Sequence, residues 1–268
     1  MRNICKFTGA DVTGLTLNQY QVDRGNELCR ADSQLHNTEK SSSSSLSSSS
    51  LTKCRSVQGD FMKMPFKDST FDGAYAIEAT CHAPDRVGVY SEIYRVLKPG
   101  SVFACYEWCM TDRYDPSNAD HRLIKKQIEE GDGLADIYRT QVCLDALEEA
   151  GFEVLDQRDV ARDDYGANCG GKRWNLPLLP SWNPLTQRFQ FNWFGKALTK
   201  NALKVLEFLR LAPKGTSKTQ IMLQQGGIGC ANGGETGIFT PMYLMVGRVP
   251  LEAENVVSSS KVSTSVEQ

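Results

Sequence analysis

Strand-like and helix-like segments alternate along most of the chain. After Asp85, which can cap a helix, apolar residues recur with a 3.6-residue period until Pro99-Gly100 ends the pattern. Thr140 can cap a second helix that ends near Gly151. This alternation is typical of an α/β fold with a doubly wound sheet. The predicted strands are residues 10–15, 54–58, 71–77, 102–108, 152–160 and 239–249, and the other predicted helices are residues 2–7, 18–31 and 189–211.

The α/β domain is predicted to occupy residues 1–162 and to be incomplete. Only a short helix, residues 2–7, precedes the first strand, whereas a strand of this fold normally follows a complete βα unit, so the first strand of the sheet is expected to be missing. Residues 33–53 include two serine runs and offer little to bury. They are predicted to be a disordered insert in a surface loop.

A second region is predicted for residues 163–250, followed by a disordered tail at 251–268. Its first 20 or so residues, about 163–183, are rich in Gly, Asn, Pro and Trp and are predicted to be irregular. In the helix at 189–211, apolar side chains share one side and lysines lie elsewhere around it. Core packing is the favoured interpretation of that side, and a cover over a substrate site or a membrane contact is the alternative. The four apolar residues are Phe194, Leu198, Val205 and Leu209.

Composition and charge exclude several classes of function. The formal net charge of −2 and the pI of about 6.0 give no basic footprint, so no nucleic-acid partner is predicted. The nine cysteines are odd in number and lack C-x-x-C spacing, which favours reduced thiols and predicts neither a disulfide framework nor a metal site. The chain has no signal-peptide pattern and no run of about 18 apolar residues, so no membrane span is predicted.

Polar residues follow four of the predicted strands. They are Asn18, Asp60, Glu78 and the pair Glu107-Trp108. Ligands of open α/β sheets bind beyond the carboxyl ends of the strands, so these side chains are candidates for one common site. The alternative for each taken separately is a helix cap or a solvated turn.

The segment 75–84, Tyr-Ala-Ile-Glu-Ala-Thr-Cys-His-Ala-Pro, is more polar than a plain strand-to-helix turn requires. It places Glu78, Thr80 and His82 within five residues. Histidine ordinarily titrates close to physiological pH, so His82 is a candidate base or hydrogen-bond donor. The alternative is a turn histidine with its hydrogen bonds satisfied, and His36 and His121 are assigned no role.

Six sequence blocks in this order resemble the sterol 24-C-methyltransferase family. The run at 75–84 is highly specific, whereas Lys-Pro-Gly after a helix is shared by many methyltransferases. The similarity covers most of residues 7–250 outside the serine tract and the stretch near 166–183. The blocks are residues 59–65, 75–84, 96–100, 106–112, 131–134 and 239–242.

The resemblance implies a class I methyltransferase sheet with a C-terminal sterol-methyltransferase extension. It implies transfer of a methyl group from S-adenosylmethionine to C24 of a Δ24 sterol side chain. It also implies work at the cytosolic side of the endoplasmic reticulum membrane, with peripheral membrane contact and homo-oligomers as further expectations. Carried over by position, the expected cofactor-binding residues are Asn18, Asp60, Phe61, Glu78 and Ala79, and the expected catalytic residues are Glu78, His82, Tyr106, Glu107 and Trp108.

The implied reaction explains why aromatic and acidic residues are needed. The alkene attacks the methyl group and leaves a cation at C25, which aromatic faces stabilise by about 0.5–2 kcal/mol each. A carboxylate such as Glu78 or Glu107 stabilises that charge or accepts the final proton. Core packing is an equally weighted alternative for Tyr75, Tyr106 and Trp108.

Two departures from the family keep other hypotheses open. The family's glycine-rich loop and its aromatic N-terminal segment are absent, and Gln19 replaces an acid in the block at 14–21, where Thr16 and Leu17 replace asparagines. The glycines at 226–234 lack the G-x-G-x-x-G spacing. The first hypothesis is therefore an active enzyme whose recorded start is incomplete.

A second hypothesis is a non-catalytic fragment or relative that binds sterol or a complete subunit. A third is a methyltransferase for another small lipid or a quinone. The Phe-Thr-Pro-Met block at 239–242 counts against the third hypothesis, because it is typical of the sterol branch.

Overall fold

The computed structural model describes residues 1–35, 53–163 and 173–251. Residues 36–52, 164–172 and 252–268 lie outside the described residues. The serine-rich insert apart from its ends, His36, part of the predicted irregular segment and nearly all of the predicted tail therefore remain predictions.

The N-terminal elements form a small parallel sheet with two helices. The strands β1 (Val12–Thr16) and β2 (Cys54–Gln58) pair in parallel from Val12 opposite Cys54 to Thr16 opposite Gln58. The helices are α1 (Arg2–Thr8) and α2 (Gln19–Arg30). Both predicted strands and both predicted helices are confirmed to within about two residues. Their buried core is Cys5, Cys29, Leu35 and Cys54.

Four further strands form a second sheet in the order β3-β4-β6-β5. β3 pairs with β4 in parallel, and β6 runs antiparallel to both β4 and β5. Among the described residues no strand joins this sheet to β1 and β2. The strands are β3 (Phe71–Ile77), β4 (Leu97–Met110), β5 (Glu153–Asp159) and β6 (Phe239–Arg248).

Helices cover both faces of the four-stranded sheet, as a mixed α/β fold requires. On one face, α3 (Arg86–Val96) and α5 (Thr140–Glu149) enclose the larger apolar core with the odd-numbered side chains of β4. On the other face, α4 (Ala119–Asp132) and α8 (Thr216–Thr236) enclose a second core that includes Met110 and Phe239. The remaining helices are α6 (Val160–Asp163) and α7 (Trp193–Phe208).

Several predicted boundaries differ from those in the structure: the helix predicted at 189–211 is α7 (Trp193–Phe208), and the strand predicted at 102–108 is the longer β4 (Leu97–Met110). Asp85 occupies the N-cap of α3 but its side chain makes no capping hydrogen bond in the described structure, and α3 ends at Val96 because β4 already begins at Leu97. Thr140 is the first residue of α5, and Arg139 is the N-cap. These shifts leave the number and order of the predicted elements unchanged.

The predicted last strand lies inside the sheet, between β4 and β5, although it contains Pro241. Pro241 lacks an N–H, which an interior strand normally needs. The β4–β6 register is irregular at this point: Glu107 pairs with Tyr243, but Cys109 pairs with Thr240. Because of this bulge, Pro241 does not occupy a position at which its backbone nitrogen would have to donate a hydrogen bond to the neighbouring strand.

Three α-helices of the described chain were missed by the sequence analysis: α4, the short α6 and the glycine-rich α8. Glycine disfavours helix by about 1 kcal/mol per residue, so five glycines within 226–234 hide the helical pattern. The structure explains them, because α8 crosses α4 with backbone against backbone: a Cβ on Gly131 would clash with the backbone of Gly226. Close packing of the two helices offsets the low propensity.

The core-packing interpretation of the helix at 189–211 is wrong. Phe194, Leu198, Val205 and Leu209 are all 46–55% exposed. The face of α7 turned to the protein instead carries small and polar residues, such as the buried Gly195 and the half-buried Glu207, whose carboxylate accepts from Ser217 N at 2.5 Å.

The segments on either side of residue 163 share one sheet, since β6 from the later segment pairs with β4 and β5 from the earlier one. A domain division near residue 163 stays a prediction. No helix in the described part of the chain is long and apolar enough to cross a bilayer.

The α4–α8 crossing yields a stability prediction. Gly131→Ala should lower the free energy of unfolding by about 1–3 kcal/mol, because the added methyl group overpacks a backbone contact. Gly227→Ala is the matched control, since its Cβ would lie 3.4 Å from Phe191 Cε1, an ordinary contact, and alanine favours helix. Urea denaturation of both variants measures the difference; equal stability of the two would contradict the crossing described here.

Candidate active site

Asn18 and Asp60 both stabilise the turns that follow their strands. Asn18 caps α2, and its Oδ1 accepts from Gln21 N at 3.2 Å. Asp60 Oδ1 accepts from Met62 N at 2.8 Å. Both residues are exposed, so each fills a capping or turn role while part of its side chain remains open to a ligand.

The loop after β2 is held against α3 by a charged clamp. Glu92 Oε1 accepts from Met64 N at 2.6 Å, and Arg95 bonds Glu92, Asp68 and two loop carbonyls. The Arg95 guanidinium lowers the pKa of the Glu92 carboxyl. Phe61 is half-buried against the larger core. The clamp thereby holds the loop that contains Asp60 and Phe61 against α3.

A strained turn follows β3. Glu78 has a left-handed backbone with φ 51°, and its N–H donates to Tyr106 O at 3.1 Å. A non-glycine residue in this conformation is uncommon and costs energy, so such residues concentrate at functional turns. The side chains of Glu78, Ala79 and His82 are exposed at this end of the sheet.

Arg86 holds the far side of the same turn. It is 4% exposed, and its guanidinium donates to Ala83 O at 2.8 Å and to Cys81 O at 2.9 Å. The guanidinium also lies over the Tyr138 ring, 5.2 Å from its centroid. These hydrogen bonds from the first residue of α3 to the preceding carbonyl groups fix the backbone conformation of the turn between β3 and α3.

Glu107 is fully buried in β4 beneath this turn. Its Oε1 accepts a short hydrogen bond from the Thr80 hydroxyl and another from Tyr90 OH at 3.0 Å. Among the described residues no group bonds its Oε2. The carboxyl group therefore joins the turn, α3 and β4 at one point.

Burial governs the titration of this network. Desolvation raises the pKa of Glu107, while the charge of Arg86 and the hydrogen bond from Thr80 oppose the shift. Burial, together with the neighbouring Glu107, raises the pKa of Tyr90 well above its ordinary value. The phenol consequently stays protonated and donates to the carboxyl group.

Strand alternation separates the three consecutive candidates on β4. Glu107 points into the α3–α5 core, whereas Tyr106 and Trp108 are half-buried and face the other way. Trp108 packs edge-on against Phe239 at 5.4 Å between ring centroids, and its Nε1 is buried without a partner among the described groups. The structure thus brings Glu78, Ala79 and His82 together and places Tyr106 and Trp108 on the opposite face of the sheet from Glu107.

Asp132, at the end of α4, is a site candidate that the sequence analysis missed. Burial raises the pKa of its carboxyl, the charge of His82 opposes that shift, and its buried Oδ2 has no partner among the described groups. Asp132 lies in the block at 131–134 that carries the family resemblance, so the sequence did hold a signal for it. Thr80 belongs to the polar run that the sequence analysis noted, but Tyr90 and Arg86 gave no comparable signal, because their contacts arise only in the folded chain.

The comparisons with known proteins agree with this architecture. Residues 2–105 match the methyltransferase domain family, and residues 186–251 match the sterol methyltransferase C-terminal family. Geranyl diphosphate C-methyltransferase from Streptomyces coelicolor A3(2), solved with Mg²⁺, geranyl diphosphate and S-adenosyl-L-homocysteine, has a similar fold. The TM-score is 0.57 at 16% identity, covering 93% of this chain and 68% of that one. The fold is that of a class I methyltransferase.

Two curated relatives show to which family of methyltransferases the chain belongs. The chain is 47% identical over 250 residues to the cycloartenol-C-24-methyltransferase of Arabidopsis thaliana, covering 93% of this chain and 68% of that protein. It is 40% identical over 269 residues to the sterol 24-C-methyltransferase ERG6 of Saccharomyces cerevisiae, covering 98% and 65%. The chain belongs to the sterol 24-C-methyltransferase family, and it spans about two thirds of the length of these relatives.

The buried carboxyl group yields a pH prediction. The pKa of Glu107 is raised in the folded state, so its contribution to stability is fully present below the unfolded value of about 4.3 and is lost as pH rises toward the folded value. Glu107→Gln cannot ionise, so the difference in the free energy of unfolding between this variant and the unchanged protein should shift in favour of the variant as pH rises.

Urea denaturation at intervals from about pH 5 to about pH 8 measures this difference. Glu149→Gln, at an exposed position on α5, is the control and should show no such gain. A difference between Glu107→Gln and the unchanged protein that does not vary with pH would contradict the raised pKa.

Proposed function

We propose that this chain carries the catalytic part of an S-adenosylmethionine-dependent sterol 24-C-methyltransferase. The reaction is transfer of a methyl group to C24 of a Δ24 sterol side chain. The observation that carries the proposal is the 47% identity to a cycloartenol-C-24-methyltransferase, spread over 93% of the chain. The alternative of a non-catalytic relative has no comparable support.

The exposed groups suit the methyl donor. Ribose hydroxyls and an ammonium group require oxygen acceptors, and adenine requires an apolar contact. Asp60 and Glu78 expose carboxylates, Asn18 exposes an amide, and the half-buried Phe61 offers an aromatic ring. In this proposal, these residues and Ala79 would hold S-adenosylmethionine. When bound, it supplies an electrophilic methyl group on a sulfonium.

Different tasks fall to the two carboxylates near the turn. Glu78 is exposed and therefore able to stabilise a cation at C25 or to accept the final proton. Glu107 is fully buried and already accepts hydrogen bonds from Thr80 and Tyr90. We therefore assign Glu107 as a positioning residue, which holds the turn that presents Glu78 and His82.

Aromatic residues and Asp132 complete the proposed site. Tyr106 and Trp108 are half-buried, so each has a ring surface that could face a carbocation, worth about 0.5–2 kcal/mol. The charge of His82 opposes the rise in the pKa of the partly buried Asp132. The pair would hold or move a proton at the border of the sterol site.

The same proposal places the protein in sterol biosynthesis and lipid metabolism. A sterol is almost wholly apolar and resides in membranes, which supports work at a membrane surface. The family resemblance adds the expectation that this surface is the cytosolic side of the endoplasmic reticulum membrane.

Product analysis tests the proposed reaction. The chain, and a version extended to the length of its relatives, would be incubated with ¹³C-methyl S-adenosylmethionine and a Δ24 sterol. The label should appear as a methyl group on C24 in the NMR spectrum of the product. Label in another lipid but not in the sterol would contradict the assignment.

Glu78→Gln should lower the turnover of the competent form by at least about a hundredfold, because the variant loses the charge and the base. Glu130→Gln, on the exposed surface of α4, is the matched control and should retain full turnover. Thermal unfolding should show both variants folded. Near-normal turnover of Glu78→Gln would remove Glu78 from the mechanism.

A further inference from the structure

The helix α7 presents its apolar side away from the protein. Residues 194, 198, 205 and 209 form one outward stripe, with about half of each side chain exposed. Near the end of the helix Phe208 is 85% exposed. Soluble proteins rarely leave a contiguous apolar surface of this kind uncovered, and such a patch marks an interaction site.

The segment that carries the stripe is cationic. Residues 182–223 contain seven Lys and Arg residues and a single acid, Glu207, although the whole chain has a net charge of −2. At 3.6 residues per turn, Lys204 lies about a third of a turn from the stripe, whereas Lys196 lies almost opposite to it and is half-buried. Lys204 is therefore the lysine of this helix nearest to the exposed apolar side chains, and the exposed Arg210 and Lys214 follow the end of the helix.

Indole rings stand at the beginning of the helix. Trp182 and Trp193 are both more than 60% exposed and contact each other with 6.1 Å between ring centroids. Tryptophan favours the boundary between water and lipid, because one part of the ring is apolar and the other carries an N–H donor.

A shallow cavity of about 510 Å³ lies at the other end. Lys204, Arg210 and Lys214 supply three cationic groups to its lining. A cavity of this size and charge can receive a phosphate headgroup.

We propose that the outward face of α7 docks on the surface of an anionic lipid bilayer. The apolar stripe enters the headgroup boundary, and Lys204, Arg210 and Lys214 remain at the level of the phosphates, as cationic residues do in helices that lie in the membrane plane. A second copy meeting this face symmetrically would bring like charges together, and a nucleic acid would leave the stripe exposed. The inference extends the proposed function, since a sterol substrate is delivered from such a surface, but it is testable without turnover.

Vesicle binding tests the proposal directly. The purified chain is sedimented with phosphatidylcholine vesicles and with phosphatidylcholine–phosphatidylserine vesicles, without sterol or methyl donor. Binding should be stronger to the anionic vesicles and should weaken as salt is added.

Variants assign the binding to α7. Lys204→Glu with Lys214→Glu should weaken binding by at least about tenfold, because each lysine near the surface contributes about fivefold. Leu198→Ser with Val205→Ser should weaken it about tenfold through lost apolar burial. Matched controls on other surfaces, Lys67→Glu with Lys126→Glu and Leu123→Ser with Leu155→Ser, should bind like the unchanged chain.

Three results would overturn the proposal. The first is equal binding by the α7 variants and their controls. The second is absence of vesicle binding together with a dimer in light scattering that Leu198→Ser with Val205→Ser dissociates, which would assign the face to a second copy. The third is loss of vesicle binding on extending the chain to the length of its relatives, which would assign the face to the added segment. A failed methyl-transfer assay with normal vesicle binding would count against the proposed function alone.

Discussion

The hydrogen-bonded carboxyl group of Glu107 is the constraint on which the site depends. An ionised carboxylate without solvent is costly unless donors surround it, so the chain must direct Thr80 and Tyr90 at it. Thr80 belongs to the turn after β3, Tyr90 belongs to α3, and Glu107 itself belongs to β4. One buried group therefore fixes the height and angle of the turn that exposes Glu78 and His82. The surrounding hydrogen bonds stabilise this turn, which offsets the energetic cost of the left-handed backbone of Glu78.

Much of the fold could be predicted from local patterns. The strands at 54–58 and 71–77 lie where the sequence placed them, because alternation and flanking turn residues are local signals. The glycine-rich α8 could not be predicted in this way, since its helix depends on a backbone crossing with α4 that is remote in sequence. The amphipathic pattern of α7 predicted the helix correctly, but periodicity alone does not say which side faces the protein.

The site was predictable to a similar degree. The rule that ligands bind at strand carboxyl ends singled out Asp60 and Glu78, and the structure places both in exposed turns. Consecutive residues of one strand point to opposite faces of the sheet, so Glu107 and Trp108 could not share a surface. The family resemblance listed both residues as catalytic and did not make this distinction. Asp132 reaches the neighbourhood of His82 from α4, a helix that the sequence analysis did not predict.

In the proposed function, ligands bind at the turn that carries Glu78 and His82. The chain has three histidines, so their imidazole signals can be followed individually by NMR while S-adenosylhomocysteine and then a Δ24 sterol are added to the form that transfers methyl. The signal assigned to His82 by its absence in His82→Gln should shift on addition of each ligand, while that of His121, on α4 beside Tyr114, should not. Saturable binding that leaves the His82 signal in place would contradict the site described here.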